Sequence, residues 1–249
     1  MIAIIGGSGL TQLANLEITR RQIVRTPYGE PSGPLTFGRM ANTDVVFLAR
    51  HGYGHTLAPH EINYRANLWA LQVQGTSCVI SVCTVGGIDA KLSPGTIAVP
   101  DQIIDYTWGR PSTYFEGAEQ PVTHIDFTDP YDESARRLVI AAAKDAGVAV
   151  SPGGTYAATQ GPRLETKAEI DRLERDGATM VGMTGMPEAA LARELKLPYA
   201  ALAVVVNPAA GRGASAHSVS MDEIARVIEE SMGRVRLIVA KAVERHGRS

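Results

Sequence analysis

The chain lacks the features that mark secreted, membrane-spanning or nucleic-acid-binding proteins. Its 249 residues include only two cysteines, Cys78 and Cys83, in one apolar run, so buried free thiols on opposite faces of a strand are expected. No metal-ligand spacing accompanies them. The net charge of −2 gives no basic surface for nucleic acid, and no apolar run approaches the ~20 residues that span a bilayer. The N-terminus has no basic leader, so a soluble cytoplasmic protein is expected.

Two common nucleotide-binding signatures are also missing. Gly6-Gly7-Ser8-Gly9 lacks the third glycine of GxGxxG, and no fitting acid follows it. No GK[ST] occurs anywhere in the chain, which excludes a Walker A loop. What is present is an ordinary globular composition, with 45% apolar and 20% charged residues.

Short apolar segments alternate with helical patterns along the chain. Strands are predicted at Ile2–Ile5, Leu16–Thr19, Gln22–Arg25, Leu35–Arg39, Val45–Ala49, Cys78–Cys83, Gly95–Pro100, Ile103–Tyr106, Met180–Met183 and Tyr199–Val206, and at the start of the 153–166 segment. Helices are predicted at Ile62–Gln74, Asp132–Ala146, Thr166–Asp176, Pro187–Leu195 and Met221–Arg248, the last capped by Ser220. This alternation predicts one α/β domain over residues 1–249, a three-layer αβα sandwich with a central mixed sheet.

Hydroxyl groups and glycines follow several predicted strands. Ser8, Thr84 and Thr184 each stand beside flexible backbone, and Arg50-His51 adds a forked cation and a switchable donor. Strand ends form the ligand edge of α/β sheets, so these residues together predict a phosphate cradle. Each also has a purely structural reading: Ser8 can cap a turn, Arg50 can pair with an acid and His51 can be a loop histidine.

The segment 153–166 presents an acid just beyond a strand. Its β-branched and aromatic start breaks at Gly161-Pro162, and Glu165 follows before a charged helix. Glu165 is therefore a candidate ligand contact at the sheet edge. Met183 and Asn207 stand at two other strand ends, where Met183 can equally be a core residue and Asn207 a turn former.

The order of these motifs resembles the trimeric purine nucleoside phosphorylase and methylthioadenosine phosphorylase family. The resemblance covers about residues 2 to 245, and its most specific stretches are Ile4–Leu10, Leu48–Gly52, Asn63–Leu71, Gly161–Arg163 and Met183–Glu188. It implies the nucleoside phosphorylase fold and phosphorolysis, in which inorganic phosphate attacks C1′ of a nucleoside and the purine leaves. It also implies a homotrimer with no metal and no organic cofactor.

The same resemblance assigns roles to individual residues. It implies phosphate contacts from Ser8, Arg50, His51, Thr84 and Thr184. Met183 is expected beneath the ribose, with Leu164 also at the substrate, and His124 resembles a residue that a neighbouring subunit lends to the site.

Two positions point to the base. Where the 6-aminopurine branch of the family carries a serine and an Asp-x-Asp pair, this chain has Glu165 and Asn207-Pro208-Ala209. Glu165 can accept from N1–H of a 6-oxopurine, and the Asn207 amide can donate to O6 and to charge developing at N7. Both are therefore expected to act in catalysis on hypoxanthine-type bases.

The 5′ end of the sugar meets an apolar wall. Met221 stands where general purine nucleoside phosphorylases of the family present a histidine, with Ile224 one turn later, although such a pair can also be ordinary helix packing. A thioether fits this wall better than a hydroxyl. The expected substrate is 5′-methylthioinosine, with methylthioadenosine or inosine and guanosine as alternatives.

A different class of protein is also possible, either a non-catalytic nucleoside-binding relative or a nucleoside hydrolase. The intact phosphate cradle argues against the first, and the missing acidic metal cluster argues against the second.

Overall fold

The computed structural model describes residues 1–118 and 121–248. Ten strands form one mixed sheet: β1 (Ile2–Gly6), β2 (Glu17–Gln22), β3 (Leu35–Met40), β4 (Thr43–Ala49), β5 (Cys78–Gly87), β6 (Ile97–Ala98), β7 (Gln102–Asp105), β8 (Thr155–Ala158), β9 (Met180–Gly182) and β10 (Tyr199–Pro208). The helices are α1 (Tyr64–Gln72), α2 (Glu133–Asp145), α3 (Lys167–Arg175), α4 (Glu188–Glu194) and α5 (Met221–His246).

The sheet splits beside its longest strands. Its order is β2-β3-β4-β1-β5-β9-β8-β7, with β10 parallel to β5 and β6 antiparallel to β10. Strand β1 pairs with β5 only as far as Ser81, whereas β9 pairs with β5 at Gly86 and Gly87. The edge of β5 between these pairings is therefore open to groups that follow β1, β4 and β9.

Helices cover both faces of the sheet, which confirms the predicted layered α/β fold. Side chains of α1 and α4 share one apolar cluster with one face of the sheet, and side chains of α2 and α5 share another cluster with the opposite face. Cys83 lies in the first cluster and Cys78 in the second, so the two free thiols lie on opposite faces of β5, as predicted. Both faces are buried, which explains why β1, β5 and β10 are apolar almost throughout.

Side-chain caps fix the helix starts that border the site. Thr166 forms a reciprocal capping box with Glu169 at α3, so the backbone is held immediately after Glu165. Ser220 accepts from the backbone N–H of Glu223 at the start of α5, which confirms the predicted cap.

Several predicted strand limits were wrong, including the following three. The two edge strands expected at Leu16–Thr19 and Gln22–Arg25 are one exposed strand, β2, which pairs with β3 through a register shift. Strand β5 continues to Gly87, so Thr84 lies inside the strand and not beyond its end. Strand β10 continues to Pro208, and Asn207 is therefore a strand residue.

None of the helices in the described ranges is long and apolar enough to cross a membrane.

Candidate active site

A cavity of about 530 Å³ opens where the sheet splits. The segments after β1 and β4 form one side, the open part of β5 forms the floor, and segments after β9 and β10 complete the wall. Gly7 belongs to this wall, where an added Cβ would lie only 2.6 Å from the Val82 carbonyl oxygen and 2.8 Å from Nη1 of Arg50. Only glycine allows the chain after β1 to approach β5 this closely.

The cavity brings together nearly all of the site residues predicted from the sequence. Its lining includes Ser8, Arg50, His51, Thr84, Leu164, Glu165, Met183, Thr184, Asn207, Met221 and Ile224. His124 does not line it and is exposed on its own chain. Its proposed contribution to a neighbouring subunit stays a prediction.

Arg50 is bound by a buried acid. Its Nε donates to Oε2 of Glu188 at 2.7 Å and its Nη2 to Oε1 at 3.0 Å, with Arg50 1% and Glu188 0% exposed. Ser81 and Tyr199 donate hydroxyl hydrogen bonds to the same carboxylate at 2.6 and 2.8 Å. Burial opposes both charges, but the pairing keeps the pKa of Glu188 below and that of Arg50 above their usual values.

This pairing changes the electrostatics expected of the cradle. Nη1 of Arg50 donates to the Val82 carbonyl at 2.9 Å, and Nη2 also donates to the Ser81 hydroxyl oxygen at 2.5 Å. With the two bonds to Glu188, four of the five N–H groups are used, and one remains without a partner in the described part of the chain. The guanidinium can still donate to an anion, but its charge is already matched by Glu188.

His51 is neutral at pH 7. Its Nδ1–H donates to the Leu57 carbonyl at 2.8 Å, which leaves Nε2 with a lone pair. Burial, with help from the Arg50 charge, lowers the pKa of His51 to about 4. The histidine predicted as a switchable donor therefore offers an acceptor at Nε2 in this state.

Ser8 is held by a second histidine. Its hydroxyl oxygen lies 2.9 Å from Nε2 of His55, and the centroid of the His55 ring lies 4.6 Å from that of the His51 ring, with the two rings tilted by 32°. His55 has a φ of +51°, a conformation that costs energy for a residue with a side chain. The turn thus holds an unfavourable backbone conformation that places this imidazole against Ser8.

The two polar groups predicted to bind the base come from one loop and from a bulge in β10. Glu165 accepts a hydrogen bond on Oε1 from the Thr159 hydroxyl at 2.6 Å. Asn207 follows a register shift between Val205 and Asn207 in the β5–β10 pairing, and a bulge of this kind re-aims side chains. The Asn207 amide donates one N–H to the Pro208 carbonyl at 2.6 Å, which leaves one N–H and Oδ1.

An apolar wall lies at the start of α5. Val219, Met221 and Ile224 line the cavity, and Met221 is 58% exposed. That exposure excludes core packing for Met221, whereas Ile224 contacts the core cluster beneath α5 as well as the cavity.

Residues 1–244 match the Phosphorylase superfamily. The chain belongs to this superfamily. A probable S-methyl-5′-thioinosine phosphorylase of Pseudomonas syringae pv. tomato is 52% identical over 241 residues, covering 97% of each chain. A 6-oxopurine nucleoside phosphorylase of Pyrococcus furiosus is 44% identical over 245 residues, 96% of this chain and 91% of that one.

A solved structure has the same fold. The methylthioadenosine phosphorylase of Schistosoma mansoni in complex with adenine aligns with a TM-score of 0.96 and 31% identity, over 100% of this chain and 92% of the other. The expected fold and enzyme class of this phosphorylase are thereby confirmed.

The cavity of the phosphorylase also depends on residues that the sequence interpretation did not identify. Arg110 is buried and donates to the carbonyls of Gln160, Met183 and Met186 at 2.6 to 2.8 Å, so it ties the loop before Glu165 to the segment after β9. Gly161 meets the same segment, since a Cβ there would lie 2.4 Å from the Met183 sulfur.

Glu188 stands in one of the stretches that carry the family resemblance, and nothing local in the sequence marks it as the partner of Arg50 or marks His55 as the partner of Ser8. An acid next to Pro187 in an otherwise apolar stretch was the one available signal for a buried ion pair.

Proposed function

We propose that this phosphorylase cleaves 5′-methylthioinosine with inorganic phosphate, giving hypoxanthine and 5-methylthioribose 1-phosphate. The observation that carries the proposal is that one cavity contains both Glu165 with Asn207 and the apolar wall of Val219, Met221 and Ile224. The first pair complements a 6-oxopurine edge, and the wall suits a thioether. The relatives named as probable S-methyl-5′-thioinosine phosphorylases support the same reading.

Phosphate is proposed to bind between the strand ends. The hydroxyls of Ser8, Thr84 and Thr184 and the free N–H of Arg50 are the donors, while Nε2 of His51 can accept from a protonated phosphate oxygen. Fixed donors hold the nucleophile at C1′ as the sugar gains oxocarbenium character over Met183.

The leaving base is proposed to be stabilised by Asn207 and Glu165. Because one amide N–H of Asn207 already binds Pro208, a single N–H remains for the base. That N–H can donate to O6, and Oδ1 can then accept from N7 once N7 has gained a proton, which hydrogen phosphate releases overall as its oxygen bonds to C1′. The sequence predicted that the Asn207 amide donates to both O6 and N7. With one N–H bound to Pro208, we propose instead that the amide donates to O6 and accepts from N7. Glu165 accepts from N1–H through the oxygen that Thr159 does not occupy.

Two alternatives keep specific support. A general 6-oxopurine nucleoside phosphorylase is favoured by the Pyrococcus furiosus relative, and a methylthioadenosine phosphorylase by the likeness to the Schistosoma mansoni structure. Against the second, the cavity is lined by Asn207 and Ala209 at the two positions where the 6-aminopurine branch is expected to carry aspartates.

A comparison of four nucleosides tests the proposal. Purified protein with phosphate should give the highest kcat/KM for methylthioinosine, ahead of methylthioadenosine, inosine and adenosine. Equal or faster use of methylthioadenosine would contradict the base assignment, and preference for inosine would contradict the 5′ assignment. Product formation without phosphate would indicate a hydrolase.

Two variants locate the base contacts. Asn207→Ala should lower kcat far more than it raises the KM for phosphate, because N7 is protonated late in bond cleavage. The combined variant Glu165→Ser, Asn207→Asp, Ala209→Asp should shift the preference toward 6-aminopurines, and an unchanged ratio would count against Glu165 and Asn207.

We further propose a homotrimer in which His124 completes the site of the neighbouring subunit. Val122, two positions before His124, is 81% exposed, and Trp108 is 72% exposed; a neighbouring subunit would cover such apolar side chains. Light scattering gives the mass, and His124→Ala should weaken substrate binding without dissociating the assembly.

The remaining expectations are proposals of the same kind. We propose one catalytic domain, because a single sheet takes in strands from Ile2 to Pro208. The free thiols Cys78 and Cys83 fit the reducing cytoplasm, and phosphate is the co-substrate with no metal or organic cofactor. Full activity after treatment with a chelator is expected.

A further inference from the structure

The Thr159 hydroxyl is a fixed donor behind the base site. Thr159 directly follows β8, and its backbone N–H donates to the Gly182 carbonyl in β9 at 2.8 Å, so the residue is anchored to the sheet. Its hydroxyl has one hydrogen. The acceptor at 2.6 Å is Oε1 of Glu165, much closer than the alternative Gly182 oxygen at 3.3 Å.

Glu165 depends on this donor for its orientation. Its backbone is held by the cap that Thr166 provides to α3, but its side chain lies on a loop whose neighbours Arg163 and Leu164 are exposed. In the described part of the chain, the Thr159 hydroxyl is the group that donates a hydrogen bond to this carboxylate. Oε1 is thereby occupied, and Oε2 is left for a ligand.

We propose that Thr159 is a positioning residue that sets the preference for 6-oxopurines by fixing Glu165, an inference that rests on the proposed function. N1 of a 6-oxopurine carries a hydrogen, so a fixed carboxylate oxygen accepts from it. N1 of a 6-aminopurine is an acceptor, so the same fixed oxygen repels it. A carboxylate that could rotate away would reject 6-aminopurines less and bind 6-oxopurines less well.

The test uses a nearly isosteric change. Thr159→Val replaces the hydroxyl by a methyl group, whereas Thr159→Ser keeps the hydroxyl and removes only the methyl group. Thr179→Val is the matched control, because Thr179 is also a half-buried threonine of this region, its hydroxyl donates to the Thr155 carbonyl, and it does not line the cavity. Each variant is assayed with methylthioinosine and methylthioadenosine at saturating phosphate, alone and in a Glu165→Ala background.

Thr159→Val is expected to lower kcat/KM for methylthioinosine by about tenfold, the effect of losing one hydrogen bond to a charged group, without lowering kcat/KM for methylthioadenosine, which a rotating carboxylate rejects less. Thr159→Ser should restore the ratio, and Thr179→Val should leave it at the wild-type value. In the Glu165→Ala background, Thr159→Val should have no further effect, because its target is gone.

Other results overturn the inference. An equal loss with both substrates, or the same loss in the Glu165→Ala background, would mean that Thr159 acts only through the fold. If turnover of a variant is too low to measure, its affinities for hypoxanthine and adenine are measured by calorimetry. Thr159→Val is then expected to bind hypoxanthine more weakly than the wild type without binding adenine more weakly. The proposed function is tested separately by the wild-type preference, so an enzyme that prefers methylthioinosine but keeps its ratio in Thr159→Val refutes only the role of Thr159.

Discussion

Replacing Glu188 by glutamine should destabilise the enzyme strongly and make its stability depend on phosphate. The carboxylate is fully buried and accepts from Nε and Nη2 of Arg50, from Ser81 and from Tyr199. Glutamine has nearly the same shape, but it is neutral, and its NH2 group donates where the second carboxylate oxygen accepts. The substitution therefore leaves the Arg50 charge buried without its counter-charge.

The magnitude follows from the burial of the pair. Breaking a buried ion pair by removing one partner costs about 3 to 5 kcal/mol, because the remaining charge is uncompensated. For a chain of this length about 2 to 4 °C of Tm accompanies each kcal/mol, which predicts a fall of about 6 to 20 °C. A phosphate dianion near Arg50 would replace part of the lost counter-charge, so phosphate should raise the Tm of Glu188→Gln more than that of the wild type.

Thermal unfolding at one protein concentration, with and without phosphate, measures both effects. Glu133→Gln is the control, because Glu133 pairs with Arg136 and Arg137 through a carboxylate that is 53% exposed, and ion pairs of exposed carboxylates contribute little. The prediction is wrong if the Tm of Glu188→Gln equals that of Glu133→Gln. It also fails if phosphate stabilises Glu188→Gln no more than the wild type, since Arg50 would then not face the anion.

Three further predictions concern the rest of the cavity. Met221→His should raise kcat/KM for inosine relative to methylthioinosine by about tenfold, because the imidazole can bind the 5′-hydroxyl; an unchanged ratio would contradict the 5′ site. The folded pKa of His51, about 4, lies below its ordinary value of 6.5, so the unfolded chain takes up this proton first. Stability should thus fall by about 3 kcal/mol from pH 6.5 to 4, and urea unfolding of His51→Gln should show a flatter profile in that window. His55→Ala and Ser8→Ala should each raise the KM for phosphate, and the double variant should be no worse than Ser8→Ala if His55 acts by orienting that hydroxyl.

Sequence patterns predicted the layers of the fold well and the strand limits poorly. Runs such as Cys78–Cys83 and Tyr199–Val206 are apolar because both faces of the sheet are covered, and burial of this kind is visible in composition. Thr84 and Asn207 were placed beyond their strands because a polar residue ends the apolar run. In the structure both residues belong to the strands β5 and β10, and they are polar because their side chains line the cavity and do not pack in the core.

The residues that line the cavity could be predicted, whereas their partners could not. Ser8, Arg50 and Glu165 stand in local motifs at or near strand ends, which a sequence displays directly. The partner of Arg50 is 138 positions away at Glu188, and that of Ser8 is 47 positions away at His55. Such pairs are set by the sheet order and by the split beside β5, which no local pattern of a single sequence encodes.

These partners give the cradle a different electrostatic character from the one that its motifs suggest. Glu188 matches the charge of Arg50, and His51 is neutral, so the proposed phosphate site offers aligned donors but little net positive charge. A strongly cationic site would bind free phosphate tightly and lower the energy of the ground state as well as that of the transition state, which does not raise kcat. Under the proposed function, a phosphate that keeps most of its negative charge instead stabilises the positive charge that develops at C1′, an interaction that exists only as the bond to the purine breaks. Under the proposed function, the buried acid beneath Arg50 would therefore contribute to the selective stabilisation of the transition state as well as to the fold.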